Sequence, residues 1–585
     1  MKGDGNGSER LVLFSAMRAA WKSGYSRADF KADVGAGIVV GVVALPLSMA
    51  LAIACGVPPQ NGLFTAIVAG GLVALLGGSR VSVTGPTAAF VVILSPITAK
   101  FGLGGLLVAS MMAGMIQVLL GAARLGRLIQ IVPHPVTTGF TSGIAVVIAT
   151  LQIKDFLGLD VDKMPETYLE RVHALVFALP SISWTELLIG TLTLILLVVS
   201  PRVLRRIPGP LVALTIASLV ALVLPEFSPG FDVATINDRF SFEMNGQQFA
   251  GIPKTPPTFE WPWRHLEVDG VPTGFSFGLM RELLVPAIAI AMLGAIESLL
   301  CAVVADGMTQ SKHDPDGELL AQGIGNIVAP FFGGFAATAA IARTATGIRA
   351  GSRSPVAAII HALFVLSAML ALAPLLGYLP MAALSALLLT VAWKMSEAKH
   401  FMRVVREAPR SDIVVLGTCF ILTVVFDMVI SVTVGMVLAA FLFMQRMAEL
   451  SNVRVLNGMH PQLVAKLPPE VCLYEVNGPL FFGAAAKATD RMAEVTGDAR
   501  ALMLYLGNVS MIDMTGLIAL ESAVANLQND GVMVVLAGVN DHVAKVIKRS
   551  SVINSPSVSL HSTLASAEMF LRLALPDHLN QEKGA

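Results

Sequence analysis

Residues 77–90 read Gly77-Gly78-Ser79-Arg80-Val81-Ser82-Val83-Thr84-Gly85-Pro86-Thr87-Ala88-Ala89-Phe90, a glycine- and proline-rich break set between apolar runs. The run that follows, Thr87–Ala99, is too short to cross a bilayer as a helix, which takes about 20 apolar residues. Peptide groups freed by such a break have no water to turn to in hydrocarbon, so they survive only where protein or a wet cavity satisfies them. The break therefore predicts a site rather than a defect, of the kind that transporters build from discontinuous helices.

The rest of the chain agrees with a membrane setting. Of 585 residues, 55% are hydrophobic and 14% charged, far from the balance of a soluble domain, so the chain reads as polytopic. The mean hydropathy is +0.73. Zero formal net charge offers no basic field for nucleic acid, and 10 His with 4 Cys show no zinc spacing, so no metal and no cofactor are expected. Cys55, Cys301 and Cys419 lie in apolar runs and Cys472 in a later strand, which argues against disulfides. An enzyme is not expected, because no nucleophile, base and metal converge in the apolar runs. Residues 1–33 are a polar cytoplasmic lead-in without a cleavable signal pattern, with an amphipathic helix expected around Leu11 to Trp21.

Apolar runs recur at Val34–Ala54, Gly62–Gly77, Thr87–Ala99, Gly104–Gly121, Ile131–Gln152, Leu187–Ser200 and Pro210–Leu224. A second set follows at Leu283–Val304, Leu319–Phe332, a broken segment after Gly334, Pro355–Leu376, Ala382–Met395, Ile413–Ile430 and Val432–Met444. The expectation is an α-helical polytopic protein with 14 transmembrane segments, the first repeat over 34–224 and the second over 283–447. Thr87-Ala88-Ala89 returns as Thr338-Ala339-Ala340 at an offset of 251, and Val132-Pro133 as Leu379-Pro380 at 247. Seven is odd, so the second half enters the membrane inverted, the plan that puts a substrate site between two broken helices.

Basic residues orient the chain: Arg124 and Arg127, then Arg202, Arg205 and Arg206, then Lys394, Lys399, Arg403, Arg406 and Arg410 share the side of the N-terminus, which makes both ends cytoplasmic. The acidic interval 225–282, with Trp261-Pro262-Trp263, is read as a Pro-rich extracytoplasmic cap with its Trp residues near the lipid interface. Beyond a linker at 448–467, residues 468–575 carry an α/β pattern ahead of a short tail at 576–585. Strands are expected at Val471–Tyr474, Leu480–Phe482, Ala501–Tyr505 and Val532–Ala537, and helices at Ala484–Ala493 and Gly516–Leu527.

These residues carry a family resemblance. Pro59-Gln60-Asn61-Gly62-Leu63-Phe64, the Gly-Ser…Gly-Pro-Thr break, Gly323-Ile324-Gly325-Asn326 leading to Phe331-Phe332-Gly333-Gly334, and Ala342-Arg343-Thr344 are similar to the SulP anion transporters, the solute-carrier 26 group, with a C-terminal STAS domain. Within that group Asp33–Gln445 resembles the enterobacterial C4-dicarboxylate transporters, notably at Gln152-Ile153-Lys154-Asp155-Phe156-Leu157-Gly158-Leu159 and Ala295-Ile296-Glu297-Ser298-Leu299-Leu300-Cys301-Ala302-Val303-Val304. The resemblance implies a bacterial inner-membrane transporter working by alternating access, a core of segments 1–4 and 8–11 moving against a gate of segments 5–7 and 12–14, and a homodimer. It also implies uptake of succinate, fumarate or malate, with sulfate or bicarbonate transport as the alternative within the family. An anion channel and a STAS-linked anion sensor are the alternatives of another class.

Helix starts near Thr87 and Thr338 would each present about half a positive charge and free amides to an anion at the midplane. Arg343 follows within two turns, where a guanidinium pairs bidentately with carboxylate or sulfate; the competing reading is a snorkelling Arg that only sets topology. The candidate substrate residues are thus Thr87, Ala88, Ala89, Thr338, Ala339, Ala340 and Arg343. Glu297 is the lone Asp, Glu, Lys, Arg or His of Leu283–Val304, and in lipid it must be paired, wet or protonated, which makes it the candidate proton carrier. A helix-packing carboxylic acid and a sodium-coupled site are the competing readings. Gln117, Asn326 and Thr137-Thr138 line a path or glue helices. In the C-terminal domain, Ser510-Met511-Ile512-Asp513-Met514-Thr515-Gly516 resembles the phosphorylatable turn of anti-sigma-factor antagonists. Met514 stands where a hydroxyl would, and the competing reading of Asp513 and Thr515 is a helix cap. A cytoplasmic protein partner of this domain is expected by the same resemblance.

Overall fold

The structure, a computed structural model, describes residues 13–575 except 130–131, 162–163, 166, 205–206, 229, 245–246, 269, 427, 451, 457–459, 462, 464–466, 469, 481–498, 551 and 553–556. The chain divides into two compact units, Met1–Met436 and Val437–Ala585.

The first unit is helical. It contains α1 (Arg27–Ala54), α2 (Pro59–Leu76), α3 (Ala88–Ala122), α4 (His134–Leu157), α5 (Trp184–Val203), α6 (Gly209–Phe227), α7 (Phe277–Thr309), α8 (Pro315–Val328), α9 (Ile341–Arg349), α10 (Val356–Leu376), α11 (Met381–Met395) and α12 (Arg410–Val425). A last helix, α13 (Met428–Leu450), runs across the division. Ten helices among the described residues are long and apolar enough to cross a membrane. The difference from the expected fourteen segments has a local cause. Two apolar runs share the 35-residue α3, which breaks at Gly102 (φ 64°, ψ −172°), a backbone geometry open to glycine and to few other residues. In addition, α8, α9 and α12 hold only 14, 9 and 16 residues, whereas α11, itself 15 residues, counts as a span because helix continues after it to Glu407.

Helix starts follow the local sequence. Ser26 and Asp29 form a reciprocal capping box at α1. Pro133 and Pro380, matched at an interval of 247, are the N-caps of α4 and α11, so this repeat signal marks equivalent structural positions. An amphipathic helix at Ser15–Lys22 precedes α1, overlapping the stretch Leu11 to Trp21 where the sequence suggested one.

The two halves interleave: α3 packs on α7 and α8, α10 on α1 and α2, and α4 on α11 and α12. Small residues permit the close crossings. A Cβ on Gly114 would lie 2.7 Å from the Gly323 carbonyl, and one on Gly323 2.7 Å from the Gly114 carbonyl. Gly37 and Gly41 serve the α1–α10 crossing in the same way, against Ala357, Ile360 and Phe364.

The interval between α6 and α7 is folded. It holds two short hairpins, Ser241–Met244 with Gln247–Ala250 and Glu267–Val268 with Val271–Pro272. Trp261 and Trp263 stack at 4.9 Å and meet Phe331 edge-on, just beyond the end of α8.

Two short strands at the breaks of the first unit are β1 (Thr84–Gly85) and β2 (Thr338–Ala339), and the second unit carries a five-stranded sheet in the order β7 (Val558–His561), β6 (Met533–Ala537), β5 (Ala501–Asn508), β4 (Val471–Asn477), β3 (Asn452–Leu456). All pairings are parallel except β3 with β4. Helices α14 (Met514–Asn529), α15 (Asp541–Ile547) and α16 (Leu564–Ala574) complete it. One apolar core, with Tyr474, Leu504 and Leu536, packs around α14 and α15. A second, with Leu473, Met503 and Val535, packs under α16. The stretch read as linker supplies β3: its Val-Arg-Val alternation pairs as an edge strand. Leu480 makes a single bridge to Ile512, while the expected helix Ala484–Ala493 and residues 481–482 lie outside the described residues.

Candidate functional site

The break at residues 77–90 meets its counterpart from the other half of the chain. β1 (Thr84–Gly85) pairs antiparallel with β2 (Thr338–Ala339), Thr84 opposite Ala339 and Gly85 opposite Thr338, and the Ala340 amide donates to the Val83 carbonyl at 2.9 Å. Each strand leads at once into a helix, α3 after an extended Thr87 and α9 after an extended Ala340. Neither N-cap side chain bonds its helix, so the first-turn amides of α3 and α9 keep their donor capacity. A ladder of two residues per strand thus joins two helix starts, each bearing about half a positive charge.

The positions differ from the sequence reading in one respect. α3 begins where expected, with Thr87 as its N-cap and Ala88 and Ala89 in the first turn, all buried. α9 begins at Ile341, three residues after Thr338, because Thr338 and Ala339 are held in the ladder. The helix starts therefore lie 253 residues apart, and the Thr-Ala-Ala match at 251 does not align structurally equivalent residues.

Arg343, the third residue of α9, is 2% exposed. It does not snorkel: its Nη2 donates to the Pro86 carbonyl, while Nε and Nη1 have no partner. Gly85 makes room for it, since a Cβ there would lie 2.6 Å from Nη1. Glu297, partly buried on α7, accepts from the Thr87 hydroxyl at 3.2 Å and lies within electrostatic reach of Arg343. The hydroxyl that would cap α3 is thus turned to the carboxylate. Among the described residues, no three or more His, Cys, Asp or Glu side chains are placed to hold a metal.

Holding extended backbone among helices requires partners for each amide, and side chains supply them. Thr65 accepts from Phe335 N at 2.9 Å, Ser110 from Ala336 N at 3.0 Å, Asn326 from Ala337 N at 2.8 Å and Ser298 from Ala339 N at 3.2 Å. Asn61 donates to the Gly333 carbonyl, and Gln322 and Asn326 to that of Ala337. On the other strand Thr344 accepts from Val83 N, and the buried Glu318 from Gly78 N and Ser79 N, each at 2.9 Å. Thr338 spends its hydroxyl on Ser298, at 2.7 Å, and on the Gly294 carbonyl.

Gln117 and Asn326 bond each other at 2.9 Å and act as helix glue. Thr137 and Thr138 bond within the first turn of α4, to the His134 carbonyl and ring. Sequence reasoning missed Thr65, Ser110, Ser298, Gln322 and Glu318. Their signal was present as single polar residues on the buried faces of apolar helices, with Gln322 and Asn326 one turn apart. In the second unit Asp513 caps α14 by accepting from Gly516 N at 2.6 Å, with Thr515 exposed beside it.

Comparison with known proteins adds an independent line. Residues 30–419 match the family described as the Sulfate permease family and residues 462–567 the STAS domain. The chain is 38% identical over 507 residues to the "Putative sulfate transporter YvdB" of Bacillus subtilis (strain 168), covering 86% of this chain and 90% of that one. It is 28% identical over 528 residues to the "Bicarbonate transporter BicA" of Picosynechococcus sp., covering 85% and 86%. Among solved structures, the murine Solute Carrier 26 family member A9 anion transporter in the inward-facing state matches with a TM-score of 0.81 over 98% of this chain and 96% of that one; at 17% identity this likeness is one of fold.

Proposed function

This chain belongs to the sulfate permease family of anion transporters, and from that premise we propose that it binds its cargo between the starts of α3 and α9. The observation that carries the reading is the convergence of two uncapped helix starts with the two unpartnered donors of Arg343. A carboxylate or an oxyanion satisfies all of them, since a guanidinium edge matches either bidentately. Thr87, Ala88, Ala89 and Ala340 line the helix starts, and Thr338 and Ala339 hold the ladder that joins them.

The finer reading is proton-coupled uptake of C4-dicarboxylates by alternating access. α1–α3 with α7–α10 would move as a core against α4–α6 with α11–α13, in a homodimer of the bacterial inner membrane with both termini cytoplasmic. Glu297 would carry the proton: it touches Thr87 at one helix start and senses Arg343 at the other, so loading of the anion and of the proton share one locus. A second reading, sulfate or bicarbonate as cargo, is favoured by the names of the two relatives.

The test is uptake of labelled succinate, sulfate and bicarbonate into proteoliposomes holding the purified chain, with and without an inward proton gradient. Gradient-driven succinate uptake that loses its gradient dependence in Glu297→Gln supports the finer reading. Gradient-indifferent uptake of sulfate or bicarbonate replaces it with the second, and flux unaltered by Glu297→Gln removes the carboxyl from the coupling.

A further inference from the structure

His361, in the second turn of α10, is fully buried, and neither of its ring nitrogens has a hydrogen-bond partner. A buried polar group without a partner is destabilising, so a ring kept here as mere filler would be a poor choice over Phe or Leu.

The surroundings of α10 narrow its use. Ala358, one turn before the ring, shares a core cluster with Val40 of α1, Ala74 of α2 and Val83, the residue that enters β1. Ala362, the next residue, faces Gly71 of α2. α10 is thus laid against the backbone that carries Gly85, the residue whose missing side chain admits the Arg343 guanidinium. The helices packed on α10 offer the ring little else. α2 has no ionisable residue, and those of α1 (Arg27, Asp29, Lys31 and Asp33) sit in its first two turns, where Asp29 binds Arg353 and Asp33 binds Tyr25 and Ser354. Among the described residues, Arg343 is the charged group within electrostatic reach of the ring.

The two groups are complementary. A guanidinium has only donors, Arg343 leaves Nε and Nη1 unmet, and a neutral imidazole carries one acceptor nitrogen. We infer that His361 is a positioning residue for Arg343: its acceptor nitrogen takes up one guanidinium N–H that Pro86 does not use, so that the remaining edge meets the anion with its aim fixed. The inference rests on the anion-binding role proposed for Arg343. No such bond is made in the structure as it stands, so the pairing is one that closure of the site on an anion completes.

The experiment compares initial rates of labelled sulfate and labelled succinate uptake by the full chain in proteoliposomes, for the native sequence, His361→Phe, His361→Gln and Arg343→Gln. Phe keeps a ring and removes the acceptor; Gln restores an acceptor. The expected result is a KM raised about tenfold in His361→Phe, the size of one lost charge-assisted hydrogen bond, with kcat nearly unchanged and KM largely recovered in His361→Gln. Should His361→Phe fail to assemble, His361→Leu carries the same expectation, and the rise in melting temperature of the detergent-purified chain on adding sulfate or succinate gives the same comparison without transport. A native KM in His361→Phe, or a His361→Gln as weak as His361→Phe, overturns the inference while the anion site stands. If Arg343→Gln transports like the native chain, the anion-site reading fails and takes this inference with it.

Discussion

The burial of Arg343 separates a side chain that sets topology from one available to the proposed site. A snorkelling arginine would reach for the membrane face, whereas this one is buried and anchored by a single donor to Pro86, with two donors kept in reserve. Lys supplies one point charge where Arg supplies a fork. Arg343→Lys is therefore expected to reduce anion uptake at least about tenfold, with the purified chain still monodisperse on size exclusion. Gly85→Ala tests the same geometry from the other side: its methyl would lie 2.6 Å from Nη1 and push the guanidinium off the ladder. The expected outcome is a raised KM with little loss of thermal stability, because the neighbour it meets is the end of a flexible side chain. Arg343, Glu297 and Thr87 stand out in the sequence as candidates, since an ionisable residue inside an apolar run, or a hydroxyl beside a Gly-Pro break, is conspicuous against its surroundings. His361 was not: one histidine in an apolar helix looks like many others until the absence of a partner is seen.

At the scale of elements, the ladder between β1 and β2 depends on side chains from helices far apart in sequence, such as Thr65, Ser110, Ser298 and Asn326. Asn326 serves both the Ala337 peptide and Gln117, so Asn326→Leu strands two buried amide donors or acceptors at once. A cost of about 1–3 kcal/mol for each predicts a clearly lower melting temperature in detergent, and a loss of uptake that added substrate does not restore. An unaltered melting temperature would show that the ladder does not need this cradle. In the other unit, Asp513→Ala removes the cap of α14, worth about 1 kcal/mol, and is expected to speed hydrogen exchange at the Gly516 amide while β5 and β6 stay protected. The elements themselves were read from apolar runs and from prolines at helix starts, as at Pro133 and Pro380. The start of α9 was misplaced because the pairing that holds Thr338 and Ala339 in a strand joins residues some 250 positions apart, which local pattern does not encode. β3 was missed for a related reason: an edge strand of five residues has little apolar signal until its partner is known.

Over the whole molecule, the two halves bring two breaks together, and interleaved packing of α1, α2 and α3 with α7, α8 and α10 fixes them there. Neither half alone contains the proposed site: Thr87 and Gly85 come from one, and Glu297, Thr338 and Arg343 from the other. The meeting of two breaks was readable from one Gly-rich break in each set of apolar runs, whereas the choice of cargo was not, because one guanidinium edge and two helix starts fit a carboxylate and sulfate alike. The measurement that tests the central claim most directly is anion uptake by the native chain beside Arg343→Gln, in the same proteoliposomes and at matched protein content. The account predicts saturable uptake of a small carboxylate or oxyanion by the native chain and its near abolition in the variant. Equal uptake by the two would contradict it.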